Sequence, residues 1–127
     1  MNVQEMMDHS WSSFCIYGIK VDEQEADRMI LRTRETIEKL LGRKRSNVNL
    51  GDVDWQNPLS VFCAVAVACG ENFVACCPDG WRVIFLGRKM ASIGPEETGA
   101  QLMSGVEKKL HRAFGECQVC STHEFSE

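Results

Sequence analysis

One amphipathic helix constrains the fold of this chain more than any other feature of its sequence. Apolar side chains recur at helical spacing over sixteen residues, with a threonine filling one gap: Ala26, Met29, Ile30, Thr33, Ile37, Leu40 and Leu41. Asp22 is placed as the N-cap, Glu25 completes an acidic variant of the capping box, and Gly42 suits a left-handed C-cap. The pattern predicts a helix with one side in a core and the other in solvent.

Short apolar segments on either side of this helix are typical of strands. Aromatic and β-branched side chains predict four of them, at 12–21, 73–77, 81–86 and 90–93. The residues at 78–80 and 87–89 suit tight turns between the last three. The sequence therefore predicts an antiparallel meander after residue 73, to which the first strand can add.

Two further helices are predicted. Asn57 and Pro58 are typical of an N-cap and a first helical position, and the apolar segment 59–69 follows them. Its valines would also suit a buried strand, but its length and its start favour a buried central helix. A last helix begins near Pro95 and ends at Gly115.

These elements together predict an α+β architecture. A small antiparallel sheet packs against two amphipathic helices and one buried helix. The length of 127 residues fits a single domain, 1–127, with a flexible C-terminal tail from about residue 116.

Charge and composition exclude several classes of protein. The net charge of −4 argues against a general nucleic-acid binder, and no apolar run is long enough to span a membrane. The first ten residues are polar and acidic, unlike a secretory signal. Seven cysteines, an odd number, fit a reducing compartment. We therefore expect a cytoplasmic protein with mostly reduced thiols.

The cysteines divide into three groups. Cys15, Cys63 and Cys69 have apolar neighbours and are expected to be small buried hydrophobes. Cys76 and Cys77 are adjacent on a predicted strand, so one should enter the core and the other face outward. An outward thiol is a candidate nucleophile for a thiol-dependent enzyme, although no histidine is near it in sequence.

The third group is a C-terminal cluster with the spacing C-x2-C-x2-H. Cys117, Cys120 and His123 supply three ligands of the kind that zinc prefers, whereas a structural zinc site needs four. Candidates for the fourth are Cys76, Cys77, His111 and His9. The alternatives are a disulfide between Cys117 and Cys120 or thiols without a function. The cluster predicts no cofactor other than this zinc ion.

A basic segment covers the solvent side of the first helix and the loop after it. Between Asp27 and Arg45 there are seven basic and three acidic side chains, a surplus of four. The residues predicted to contact a partner are Arg28, Arg32, Arg43, Lys44, Arg45 and Trp55. Tryptophan and arginine are enriched in binding hot spots, whereas a solvated helix face is the simpler explanation of the charges.

The chain lacks the common catalytic signatures, including a phosphate-binding glycine loop, a zinc-protease motif and a nucleophile elbow. We therefore expect a non-enzymatic binding protein that acts by protein–protein contact, as an adaptor or as an inhibitor of a larger complex. A phage- or plasmid-borne modulator would have this profile. A nucleic-acid partner is less favoured. The alternatives are a zinc-stabilised module and a thiol-dependent enzyme.

Overall fold

The computed structural model describes residues 13–43, 47–78, 82–91, 100–121 and 125–126. Three helices are present in this part of the chain: α1 (Glu23–Leu41), α2 (Pro58–Cys69) and α3 (Ala100–Phe114). The strands are β1 (Ser13–Asp22), β2 (Phe73–Cys76), β3 (Val83–Ala91), β4 (Cys120–Ser121) and β5 (Phe125–Ser126). The predicted α+β class is confirmed. None of the helices in these residues is long and apolar enough to cross a membrane.

The sheet is antiparallel and has the order β2-β3-β1. β3 is one continuous strand over nine residues, so the turn predicted at 87–89 is wrong. Gly87 instead pairs with Gly18 of β1 in the middle of the sheet. The meander is therefore limited to β2 and β3, and β1 supplies the third strand beside β3.

The helices cover one face of this sheet. Alternate residues of the strands point toward them, among them Tyr17, Ile19, Ile84, Leu86 and Phe73, and all five are buried. Ile16 and Phe85 point to the other face and are also fully buried. The sheet is therefore covered on both faces at its centre.

α1 begins and ends where its sequence predicts, but both caps differ in detail. The Asp22 carboxylate accepts a hydrogen bond of 2.7 Å from the Glu25 backbone N–H, which is half of a capping box. The Glu25 carboxylate pairs instead with Arg28. Gly42 has φ −76°, a right-handed conformation that any residue adopts, so the left-handed cap is wrong. Thr33 interrupts the helical geometry and donates a hydrogen bond to the Met29 carbonyl.

α2 resolves the choice between helix and strand. The Asn57 side chain accepts a hydrogen bond from the Leu59 backbone N–H, and Pro58 occupies the first helical position. Phe62 packs on Phe114 of α3, with ring centroids 5.1 Å apart. The helix is not buried all round, however, because Val67 is 53% exposed.

The described part of the C-terminal segment, for which a flexible tail is predicted, pairs with the sheet. Gly115 ends α3 with φ +73°, after which β4 and β5 both pair with β1. Cys117 and Val119 pack against the core, and a His111 ring nitrogen lies 3.0 Å from the Cys117 carbonyl oxygen. Residues 120–121 and 125–126 thus extend the sheet beyond β1.

Candidate binding surfaces

The exposed side of α1 carries arginines that are paired within the helix. Arg28 lies 2.9 Å from the Glu25 carboxylate, and Arg34 lies 2.8 Å from that of Glu38. Exposed pairs at this spacing contribute only a few tenths of a kcal/mol to stability. Both arginines can therefore exchange these partners for another carboxylate at little cost.

Trp55 contacts α1, but through an arginine outside the predicted set. The Arg34 guanidinium stacks 4.6 Å from the centroid of the half-buried Trp55 ring. Arg32 follows Arg28 by four positions, so it lies beside Arg28 on the exposed side of α1 rather than beside Arg34. No local pattern predicts the Arg34–Trp55 contact, because it depends on how the loop before α2 folds back on α1.

Two more predicted residues extend this surface. Arg32 and Arg43 are exposed, and neither forms an ion pair within the described ranges. Lys44 and Arg45 lie outside the described residues. Asp27 and Glu35 are also exposed on α1, so its positive charge is concentrated toward the C-terminal end, where Lys39 and Arg43 lie.

Leu31 is the feature of this surface that the sequence analysis missed. Its side chain is 80% exposed, although leucine usually contributes to a core. Arg28 lies three positions before Leu31 on the same helical face, and Arg34 lies three positions after it, beyond the interruption at Thr33. The signal was present in the sequence, because position 31 does not fit the apolar stripe of the helix. We call Arg28, Leu31, Arg32, Arg34, Arg43 and Trp55 the α1 surface.

A shallow groove lies beside α2. It has a volume of about 220 Å³ between the loop at 47–53 and the solvent side of the helix, and it includes Cys63 and Val67. Cys63 is exposed, contrary to the expectation that it is buried, because it lies on the side of α2 that faces away from the core. Leu50 in the same loop is 39% exposed.

Burial disfavours the thiolate form of two further cysteines, Cys69 and Cys76. Cys69 is buried, as predicted, and burial raises the pKa of its thiol to about 11 against the opposing effect of Lys109 and Arg112. Cys15, Cys76 and Cys77 are half-buried, so neither member of the adjacent pair is fully inside or outside. Burial also raises the pKa of Cys76. A nucleophilic cysteine needs a lowered pKa, so these shifts have the opposite sign.

The predicted zinc cluster is only partly described. Cys117 is half-buried, and burial raises the pKa of its thiol. The Cys120 backbone lies in β4, but its side chain and all of His123 fall outside the described residues, as does His9. Among the side chains that are described, no group of three or more could hold a metal ion. Zinc binding therefore stays a prediction.

These surfaces have no counterpart from which a function can be transferred. Comparison of the chain with protein-family models, with curated proteins and with solved structures finds no match.

Proposed function

We propose that this protein is a non-enzymatic binding protein whose α1 surface contacts an acidic surface of a protein partner, as an adaptor or as an inhibitor of a larger complex. The observation that carries the proposal is the exposure of Leu31 between two arginines. An isolated exposed leucine needs no explanation, but one flanked by arginines on a helix whose Arg34 stacks on Trp55 has the composition of a binding hot spot.

The contact would combine two kinds of interaction. Leu31 would enter an apolar depression on the partner and lose its contact with water. The arginines around it would pair with carboxylates of the partner, and the Arg34 guanidinium is already held in place by Trp55. Such a protein acts by occupying a surface, so it needs no catalytic group.

Charge reversal tests this proposal. The double variant Arg32→Glu/Arg43→Glu changes two exposed residues that form no ion pair within the described ranges. Lys108→Glu/Arg112→Glu on α3 is the matched control, because it changes the net charge by the same amount on another exposed surface. Each tagged protein is used to capture partners from a lysate of the source cells, and the captured proteins are compared by mass spectrometry.

We expect a protein that binds the wild type and the α3 control, and that the α1 double variant no longer captures. The bound protein should also be released as the salt concentration rises. Equal capture by all three forms would contradict a role for the arginines. Capture that disappears on nuclease treatment would contradict a protein partner and favour a nucleic acid.

A further inference from the structure

A small pocket lies between α3 and the side of the sheet that faces the helices. Its volume is about 130 Å³, and it is lined by Phe73, Arg88, Leu102, Gly105, Val106 and Lys109. Phe73 and Val106 are buried, so the inner wall is apolar. The pocket is distant in sequence from the α1 surface and shares no residue with it.

Two basic side chains, Arg88 and Lys109, lie beside this apolar wall. Arg88 of β3 is half-buried, yet its guanidinium has no ion pair or hydrogen bond in the described part of the chain. Lys109 donates one hydrogen bond of 2.7 Å to the Cys69 carbonyl, and its ammonium lies 5.2 Å from the Phe73 ring centroid. The ammonium therefore keeps donors for another acceptor.

The one acidic residue of α3 is already engaged elsewhere. Glu107 accepts a hydrogen bond of 2.8 Å from the hydroxyl of Tyr17, the residue that pairs with Arg88 across β1 and β3. Among the described residues that are not exposed, no side-chain nitrogen or oxygen is both fully buried and without a hydrogen bond. The Arg88 guanidinium, which has no partner among these residues, therefore has donors that solvent reaches. An anion in the pocket could accept hydrogen bonds from them.

Gly105 of α3 also lines the pocket and keeps it open. It lies inside α3, where glycine is destabilising relative to alanine. A Cβ atom built at this position meets no described atom within 4 Å, so the backbone does not exclude a side chain there. The effect of glycine at this position is to leave the pocket open.

We propose that this pocket binds a short-chain organic carboxylate. The Arg88 guanidinium would take the carboxylate in a two-point contact, with Lys109 as a second cation. Phe73, Leu102 and Val106 would surround the hydrocarbon part, and the small volume limits its length. This inference does not depend on the proposed function.

The test is an NMR titration of the isotope-labelled full chain with isobutyrate. We expect saturable shifts of the Gly105 and Phe73 amides and of the Arg88 side-chain N–H. Isobutyramide, which has the same shape without the charge, should cause none of them. The absence of saturable shifts with isobutyrate would overturn the proposal, and so would equal shifts with the amide.

Three variants locate the site. Gly105→Leu fills the pocket without changing its charges and adds a good helix former, so it should fold and lose isobutyrate binding. Arg88→Gln should weaken binding at least about tenfold, whereas Arg112→Gln, on α3 outside the pocket, should not. Undiminished binding by Gly105→Leu would overturn the assignment even if Arg88→Gln fails to fold. Inorganic phosphate that binds as tightly as isobutyrate would overturn the preference for a carboxylate.

Discussion

Gly18 and Gly87 lie opposite each other where β1 and β3 approach most closely. A Cβ atom on Gly18 would overlap the Leu86 carbonyl oxygen, and one on Gly87 would overlap that of Tyr17. Both contacts involve backbone atoms, which cannot move aside as a flexible side chain can. The pair is therefore required by the sheet itself.

We predict that Gly18→Ala and Gly87→Ala each lower the free energy of unfolding by about 2 kcal/mol or more, because the strands must separate to admit a methyl group. Gly51→Ala is the control, since its nearest atom is the Asn49 side-chain oxygen at 3.4 Å in an exposed turn. It should change stability by less than about 0.5 kcal/mol. Urea denaturation of the three variants measures this. Equal stability of Gly18→Ala and Gly51→Ala would refute the close approach.

Cys69 should make the free energy of unfolding depend on pH in the alkaline range. Burial raises the pKa of its thiol from 9.0 to about 11, so the folded state favours the protonated form. The stabilisation is complete below pH 9.0 and is lost as the pH rises toward about 11, because the unfolded chain releases the proton first.

We expect the free energy of unfolding of the wild type to fall between about pH 9 and about pH 11 more steeply than that of Cys69→Ala, which has no thiol at this position. Urea denaturation at a series of pH values measures both slopes. Parallel slopes for the two proteins would show that Cys69 does not titrate differently in the folded state.

At the scale of elements, α1 separates the residues that stabilise the fold from those available for binding. Ile30 is buried and the adjacent Leu31 is 80% exposed. Ile30→Ala should therefore lower the free energy of unfolding by about 2–4 kcal/mol, and Leu31→Gln should change it by less than about 0.5 kcal/mol. Thermal or urea denaturation distinguishes them. A large loss in Leu31→Gln would assign this side chain to the fold rather than to a contact.

One of the predicted zinc ligands, Cys120, lies in a C-terminal strand that pairs with β1. β4 places the Cys120 backbone beside Gly18, and the half-buried Cys117 packs against the core. If Cys117, Cys120 and His123 bind zinc, native mass spectrometry should detect one zinc ion per chain that a chelator removes. A bare mass in protein purified without chelator would contradict the zinc-stabilised module.

The elements were predictable where the signal is local. The Asp22 cap, the Asn57–Pro58 start and the stripe of α1 depend on residues a few positions apart, and the structure confirms all three. Gly87 was misassigned to a turn because its role depends on Gly18, far away in sequence. Strand pairing of this kind leaves no local pattern.

The sequence predicts which residue types form the binding surfaces, but not which of these residues contact each other. The basic segment of α1 was evident, but the Arg34–Trp55 contact depends on a loop whose path the sequence does not encode in any short pattern. The pocket at Arg88 was missed for the same reason, since it joins β2, β3 and α3. Leu31 could have been found by its position outside the apolar stripe.

In the molecule as a whole, the side chains that stabilise the fold and those proposed to bind a partner lie on different sides of α1. The helices bury their apolar sides on one face of the sheet, and the arginines with Leu31 lie on the opposite side of α1. A partner can therefore cover the α1 surface without disturbing the core. Substitutions that abolish binding should leave the fold intact.

The affinity of the captured partner for Leu31→Gln, measured by calorimetry, tests directly whether the α1 surface binds this partner. Val67→Thr is the matched control, because it also makes an exposed apolar side chain polar, but on α2. We predict that Leu31→Gln weakens binding at least about tenfold, or about 1.4 kcal/mol, and that Val67→Thr leaves it unchanged. Wild-type affinity in Leu31→Gln would contradict the proposal that the α1 surface binds the partner.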